Sequence, residues 1–434
     1  MEKKSIGTRQ ITYIGALLAL IGVLMMSGQV SAQMSDVTFS RDVMPILQQN
    51  CQACHRPDGI GAMSLLSYEE ARPWAPMMKY QTESRTMPPW HVDRTVGIQE
   101  YQNDLSLTSE EISIIGAWAD AGAPEGDPAD LPAPRMWPDG VSWLLQDELG
   151  REPDMVFRSP AFDVEPSGLD QWFEPDVMLD LDEARWIMAT ESRPSLHSRH
   201  VTHHGNSSIS KFGGPGTPFD LYPENTGLQV QPGQTVTFNL HYFPRGEGVE
   251  GAYAEVALWF YPRDFEPKYK LRAATRIFSS YKEIDSEGAQ TMLLAPHSVG
   301  ITQAYHVLQD PSWVFSIRGH QHLRGTGQSL EAIYPDGRKE ILTKYSWLHS
   351  WSLTYIYDEH VQPLLPKGTV LVLTSYYDNT ASNPANPDPD QWVVHGRRTG
   401  DEMAHIHLQI VSLDQEDFDQ RVSERENLLM QEQP

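Results

Sequence analysis

Ser316-Ile317-Arg318-Gly319-His320-Gln321-His322-Leu323-Arg324 is the stretch from which the rest of the chain can be read. Side chains alternate along a β-strand, so Arg318, His320 and His322 share one face while Ile317 and Leu323 point the other way. Two imidazoles are thereby aimed at one point. The run Gly400-Asp401-Glu402-Met403-Ala404-His405-Ile406-His407-Leu408 repeats the device, with Met403, His405 and His407 on one face and Ile406 and Leu408 on the other. Imidazole suits copper, zinc and iron, whereas a thioether singles out copper, above all Cu(I), so His320, His322 and Met403 read as a redox copper site. The alternative is that a His-x-His pair on a strand is only a solvated polar face.

Around this stretch, from about Asp154 onward, short alternating strands are separated by Gly, Pro, Asn and Asp turns, the pattern of β-sandwiches or barrels. Of the 16 histidines, 14 lie in this region. The turn Gln231-Pro232-Gly233-Gln234 launches a strand in which Val236, Phe238 and Leu240 share one face and His241 takes the other. His203 and His204 are adjacent, and with His241 they would make a three-imidazole site. Neighbouring residues of a regular strand point to opposite faces, so the pair serves one metal only if the strand ends or bulges there, which Gly205 permits. The alternative is two unrelated histidines.

The only cysteines stand in Cys51-Gln52-Ala53-Cys54-His55. Cys-x-x-Cys-His is the attachment signature of c-type haem: two thiols add to the haem vinyl groups and the adjacent His reaches the iron. A disulfide, a redox dithiol or half a zinc site are the other readings. The flanks predict a small helical domain. Ser40 is placed to cap a helix carrying Val43, Ile46 and Leu47, with Pro45 near its start. Thr108-Ser109-Glu110-Glu111 is a capping box followed by Ile112, Ile115 and Trp118 at helical spacing and ended by Gly122 and Pro124. Between them Arg85-Thr86-Met87-Pro88-Pro89-Trp90-His91 is a stiffened loop from which Met87 is the expected distal iron ligand, with His91 as substitute.

The 434 residues allow two or three domains. Lys3, Lys4 and Arg9, an apolar run from Tyr13 to Met26 and Val30-Ser31-Ala32 form a signal segment with cleavage expected after Ala32, which implies export to a bacterial periplasm or beyond and no stable membrane anchor. Acidic residues number 58 against 33 basic, and removing the signal segment takes the net charge from −25 to −27, so nucleic acid and anionic lipid are not expected partners. The expected organisation is a signal peptide (1–32), a haem domain (36–125), a Pro-rich acidic linker (126–153), two β domains (154–265 and 266–413) and a charged tail (414–434), helical and frayed or disordered.

The first of these domains resembles c-type cytochromes, in the form fused to larger exported oxidases. The β region resembles the copper type II, ascorbate-dependent monooxygenases, the family of peptidylglycine α-hydroxylating and dopamine β-monooxygenases, over roughly residues 155 to 412. That resemblance implies two jelly-roll-like sandwiches, each with one copper. By motif His203, His204 and His241 match the family's electron-transfer copper ligands, while His320, His322 and Met403 match its oxygen-binding copper ligands. Arg318 matches the residue that binds a substrate carboxylate in the peptide-amidating branch, or else forms a structural ion pair. His405 and His407 stand where that branch has an Asn and a Tyr, and the disulfides of the animal enzymes are missing. The resemblance implies hydroxylation of a C–H bond of a small substrate by O2 at two copper ions. One covalent haem c would feed the electrons, supplied in turn by ascorbate or a redox protein. The rival readings are a non-catalytic haem and copper electron carrier and a copper-binding module.

Overall fold

Thr108 opens a helix as its neighbours dictate. Its hydroxyl accepts the Glu111 N–H at 3.2 Å while the Glu111 carboxylate accepts the Thr108 N–H at 2.7 Å, so two N–H groups that the first turn leaves without a helical partner are satisfied reciprocally. The computed structural model describes residues 36–57, 59, 61, 63–135, 137, 143–168, 170–210, 219–242, 246–271, 275–278, 292–349 and 351–431. The expected signal segment lies outside them. Two units result: Met1–Pro89 with Leu105–Trp137, and Trp90–Asp104 with Pro138–Pro434.

In the first unit a wide turn, Phe39–Val43, leads into α1 (Met44–Asn50), followed by α2 (Tyr68–Ala71), α3 (Ala75–Glu83) and α4 (Ser109–Asp120). Phe39, Val43, Leu47, Ile115 and Trp118 form its core, and its described residues include no strand. Ser40 does not cap the first helix as expected. The helical turn begins one residue earlier, so Ser40 is inside it and its hydroxyl donates to the Glu125 carbonyl at 3.0 Å. Asp42 instead accepts the Thr38 N–H at 2.7 Å. Gly122, at a φ of 86° that an L side chain resists, turns the chain after α4.

The second unit is mostly β. Its first half contains β1 (Met155–Arg158), β2 (Phe162–Val164), β3 (Gln171–Phe173), β4 (Asp176–Met178), β5 (Arg185–Pro194), β6 (Thr202–Ser207), β7 (Phe219–Leu221), β8 (Thr226–Val230), β9 (Thr235–Tyr242), β10 (Val249–Ala252), β11 (Ala254–Phe260) and β12 (Tyr269–Lys270). Its second half contains β13 (Thr275–Phe278), β14 (Leu293–Leu294), β15 (Val299–Val307), β16 (Ser312–Gln321), β17 (Gly325–Ile333), β18 (Lys339–Ser346), β19 (Thr354–Ile356), β20 (Leu364–Leu365), β21 (Val370–Asp378), β22 (Val393–Val394) and β23 (Ala404–Ser412). In the first half the sheet β1-β11-β5-β8-β12 faces the sheet β3-β9-β4, to which β6 adds. Val236, Phe238 and Leu240, buried as their alternation requires, meet Ile187, Val256 and Leu258 between the two. In the second half β13-β23-β16-β19 faces β15-β21-β17-β18, with Ile317, Ile406 and Leu408 packed against Leu330, Leu342 and Leu373. Each half is thus a β-sandwich, as the alternation predicted.

Three segments lie where periodicity alone did not place them. Trp90–Asp104 leaves the helical unit and enters the second sandwich's core: Trp90 and Tyr101 pack on Tyr355, with Trp90 5.0 Å from it between ring centroids. Its backbone pairs along the sheet edges, Asp93 and Ile98 donating to the Lys344 and Leu342 carbonyls at 2.8 and 2.9 Å. The stretch expected to be linker contains α5 (Leu144–Leu149), whose Trp143 and Leu145 pack on Trp259. The buried Glu191 carboxylate accepts the Leu144 and Leu145 N–H groups at its N-terminus, at 3.1 and 3.0 Å. The charged tail is a helix, α6 (Gln415–Gln431), docked through Phe418 and through Arg421, whose guanidinium lies 3.9 Å from the Trp313 ring centroid.

Candidate metal centres

β16 runs antiparallel to β23 with His320 opposite His405 and Arg318 opposite His407. Opposed residues of an antiparallel pair share a face, so all four line one surface while Ile317, Ile406 and Leu408 fill the core behind it. The His320 and His405 rings stack, 4.5 Å apart at 22°. His322 follows one residue after β16, its ring 5.1 Å from that of His320 and at 85° to it. Two imidazoles bound to one first-row ion at about 2.0–2.1 Å per nitrogen have centroids about 5 Å apart, so this pair fits a shared metal.

His322 is buried, with Nδ1 3.2 Å from the Asp401 carbonyl oxygen. A carbonyl only accepts, so Nδ1 carries the proton and Nε2 keeps its lone pair for a metal. Burial pushes the His322 pKa down to about 4, with His241 and His395 also opposing its protonation. Neutral imidazole is the form that ligates.

Glu402, fully buried, joins this histidine to Met403. One carboxylate oxygen accepts the backbone N–H groups of both His322 and Met403, the latter at 2.9 Å, and the other accepts the Arg324 N–H at 2.9 Å. Burial pushes the Glu402 carboxyl up to about 7 against the pull of those donors. Arg324 reaches Asn379 Oδ1 at 2.7 Å and the Gly400 carbonyl at 2.9 Å. The end of β16 and the turn before β23 are thereby one hydrogen-bonded piece. Arg318 is buried, its Nε donating to Ser352 Oγ at 3.1 Å. Burial lowers its pKa to about 10, and Asp220 is the counter-charge that works against this.

His241 lies on β9, buried, opposite Trp172 of β3 and stacked on it at 4.0 Å and 8°. Its Nε2 is 3.2 Å from Asp170 Oδ2. On its other side β9 pairs with β6: Thr202 is opposite Tyr242 and His204 opposite His241, with a register shift between. Two steps on β6 thus face one on β9, and position 203 is the extra residue of a bulge. This is the irregularity that an adjacent pair of ligands requires. The side chains of His203 and His204 lie outside the described residues. Among the described residues no three His, Cys, Asp or Glu side chains stand close enough to hold a metal ion; the His320, His322 and Met403 set has two such groups and a thioether.

In the first unit Cys51 and Cys54 are free thiols. Burial pushes Cys51 up to about 12 and raises Cys54 as well. His55 Nδ1 lies 3.2 Å from the Met63 carbonyl oxygen, so here too Nδ1 holds the proton and Nε2 is left for a metal. The loop closes so tightly over this ring that a Cβ at Gly61 would fall 2.5 Å from Nδ1. Two thiols and an imidazole in this arrangement fit covalent haem. Met87 is half-buried, its N–H donating to the Gln81 carbonyl at 3.1 Å. His91 falls in the second unit, where its carbonyl accepts the Ser346 N–H at 3.0 Å. Expressed with a haem-attachment system, the protein is expected to gain the mass of one haem, and a Cys54→Ser variant to retain at most a single thioether link. Intact-mass measurement checks both.

Sequence reasoning named the histidines, Met403 and Arg318 but assigned no role to Glu402 or Asp170. Glu402 had a weak signal, an acid beside a thioether ligand; Asp170 had none, being remote in sequence from His241. No protein-family model matches the chain, and no curated protein matches it. Among solved structures it is similar to the major capsid protein P2 from Bacteriophage PM2, at 11% identity over 59% of this chain and 97% of that one, with a TM-score of 0.26. Procruciferin, an 11S globulin from Brassica napus, follows at 7% identity over 60% and 87%, with a TM-score of 0.12. Likenesses this faint carry no argument about fold or function.

Proposed function

We propose that the chain is an exported monooxygenase that hydroxylates a C–H bond of a small substrate with O2, using two copper ions and one covalent haem c. The observation that carries the reading is the joint held by Glu402: His320 and His322 at ligand-pair geometry, with Met403 fastened to His322 through one buried carboxylate. Copper held by His320, His322 and Met403 would supply O2 activation and hydrogen abstraction, while a second copper held by His203, His204 and His241 and a haem held by Cys51, Cys54, His55 and Met87 would supply electrons. On this reading the first unit is a cytochrome c-type domain and the two sandwiches are the copper domains, in jelly-roll-like form.

The chain's own residues do the positioning. The Asp401 carbonyl accepts the His322 Nδ1–H hydrogen bond and keeps Nε2 directed away from that carbonyl. Trp347 donates its indole N–H to the His322 carbonyl at 3.1 Å, a third restraint on the same residue. Arg318, His405 and His407 supply polar contacts for a substrate on the floor beside His320. With Asp220 already offsetting the Arg318 charge, a polar neutral substrate suits this floor better than a carboxylate.

Anaerobic reduction by ascorbate, followed by oxygen uptake against a panel of small substrates, tests the function. Uptake stoichiometric with hydroxylated product is expected from the copper- and haem-loaded protein. Electron transfer without substrate-dependent uptake points to the non-catalytic carrier instead, and copper binding with no turnover of either kind points to a binding module.

A further inference from the structure

The face of β16 and β23 that carries the histidines continues past them. Its opposed pairs run His320 with His405, Arg318 with His407 and Ser316 with Gln409, successive pairs lying about 7 Å apart along the strands. Ser316 and Arg318 are buried, although they point away from Ile317 and Leu408 in the core of their own sandwich. The Ser316 hydroxyl donates to Gln409 Oε1 at 2.6 Å, which fixes the amide so that its Nε2 donates to Asp220 Oδ1 at 2.9 Å. Asp220 belongs to the first sandwich, on β7 opposite Thr190 of β5. A carboxylate of one sandwich is thus fastened to the pair next to the buried guanidinium of the other. Its charge works against the effect of burial on Arg318.

We propose that Asp220, held in place by Gln409, is the specificity-determining residue of the floor beside His320: it balances the Arg318 charge, so that the floor takes an uncharged substrate whose carbonyl oxygen accepts a hydrogen bond, such as an amide, and rejects a carboxylate. A guanidinium out of water needs a counter-charge, and the fold supplies one from Asp220. A carboxylate entering beside Arg318 gives up its hydration to meet a cation already served and a second anion that repels it. An amide gives up less and still accepts an N–H from the guanidinium. Discrimination therefore comes from the repulsive element, and taking away the Asp220 charge inverts it, because an anionic ligand then becomes the counter-charge that Arg318 lacks. That substrate lies on this floor rests on the monooxygenase reading above; the balance of Asp220 against Arg318 does not.

The test uses phenylacetamide and phenylacetate, a pair matched in shape and differing in charge, with binding to the full chain measured by equilibrium dialysis so that no turnover is needed. Wild type is expected to prefer the amide. Asp220→Asn is expected to move the preference toward phenylacetate by about 10-fold or more, and Asp220→Glu, which keeps the charge, to restore the wild-type order. Because Asp220→Asn strands a buried cation, the double variant Asp220→Asn with Arg318→Met is measured beside it. Lacking both charges, it is expected to melt above Asp220→Asn and to keep the preference for the amide. Wild type that binds phenylacetate as tightly as the amide overturns the proposal. So does a folded Asp220→Asn with the wild-type preference, an Asp220→Glu that behaves as Asp220→Asn, or a double variant that melts below Asp220→Asn. Binding of neither probe by any of the four proteins overturns the floor as a ligand site. Absence of substrate-dependent oxygen uptake across the panel above defeats the monooxygenase reading instead, and leaves the binding result standing.

Discussion

Met403→Ile is expected to abolish hydroxylated product while haem attachment and the copper at His203, His204 and His241 persist. The thioether is the one soft donor in the proposed oxygen-binding site, and Cu(I) depends on soft ligation more than Cu(II) does. Isoleucine keeps an apolar side chain of similar bulk, so folding should be little disturbed. The backbone supports at this position, the Glu402 carboxylate on the Met403 N–H and the Tyr377 hydroxyl on the Met403 carbonyl at 3.2 Å, do not involve the sulfur. Copper affinity at His320 and His322 should therefore fall without a matching loss of stability. Measuring product and haem reoxidation together separates the classes. A carrier protein would still pass electrons from haem to the remaining copper near the original rate, whereas the monooxygenase stops. A variant that hydroxylates at full rate would remove Met403 from the mechanism.

Glu402→Ala is expected to be the most damaging single change to the second sandwich. The carboxylate is fully buried and accepts three backbone N–H groups, from His322, Arg324 and Met403. Removing it strands those donors where water does not reach, and takes away the first of the carboxylates, ahead of Asp388 and Asp401, whose charge supports the buried Arg324 guanidinium, a loss of about 3–5 kcal/mol. Chemical denaturation should read this as a lower midpoint for the β unit with the helical unit unaffected. Glu402→Gln keeps one acceptor oxygen and should lose roughly half as much. Equal stability of Glu402→Ala and wild type would show that the staple is dispensable. The effect is separable from that of Met403→Ile, which is expected to remove a proposed copper ligand and leave the fold intact.

Much of this was legible locally. The alternation of Val236, Phe238 and Leu240 against His241, the capping box at Thr108 and the spacing of Cys51, Cys54 and His55 are consequences of periods of 2 and 3.6 residues and of neighbours along the chain. They predicted the sandwiches, the helix and the candidate ligands. The bulge beside His204 was foreseeable as the condition under which two adjacent residues could serve one site, with Gly205 to permit it. Trp90–Asp104 was misread as part of the haem domain because a segment that adds to another sheet's edge leaves no periodic trace of its destination. The linker misled for a related reason, while the tail, expected as a frayed helix or disorder, is a helix whose docking was not foreseen. Trp143, Leu145 and Phe418 are isolated apolar residues in polar surroundings, and only the surface they dock on makes them core.

By itself the sequence determined which residues alternate, which helix ends are capped and which side chains have the chemistry to hold copper or haem, since these follow from backbone geometry and from the atoms each residue carries. Only the tertiary structure decided which of those residues meet. His320 faces His405 through the register of β16 with β23, Asp401 and Glu402 hold His322 from across the sheet, and Asp170 comes beside His241 through a strand pairing. Those contacts are set by long-range strand register, in which a slip of one residue would send every histidine to the opposite face, and no local pattern encodes it.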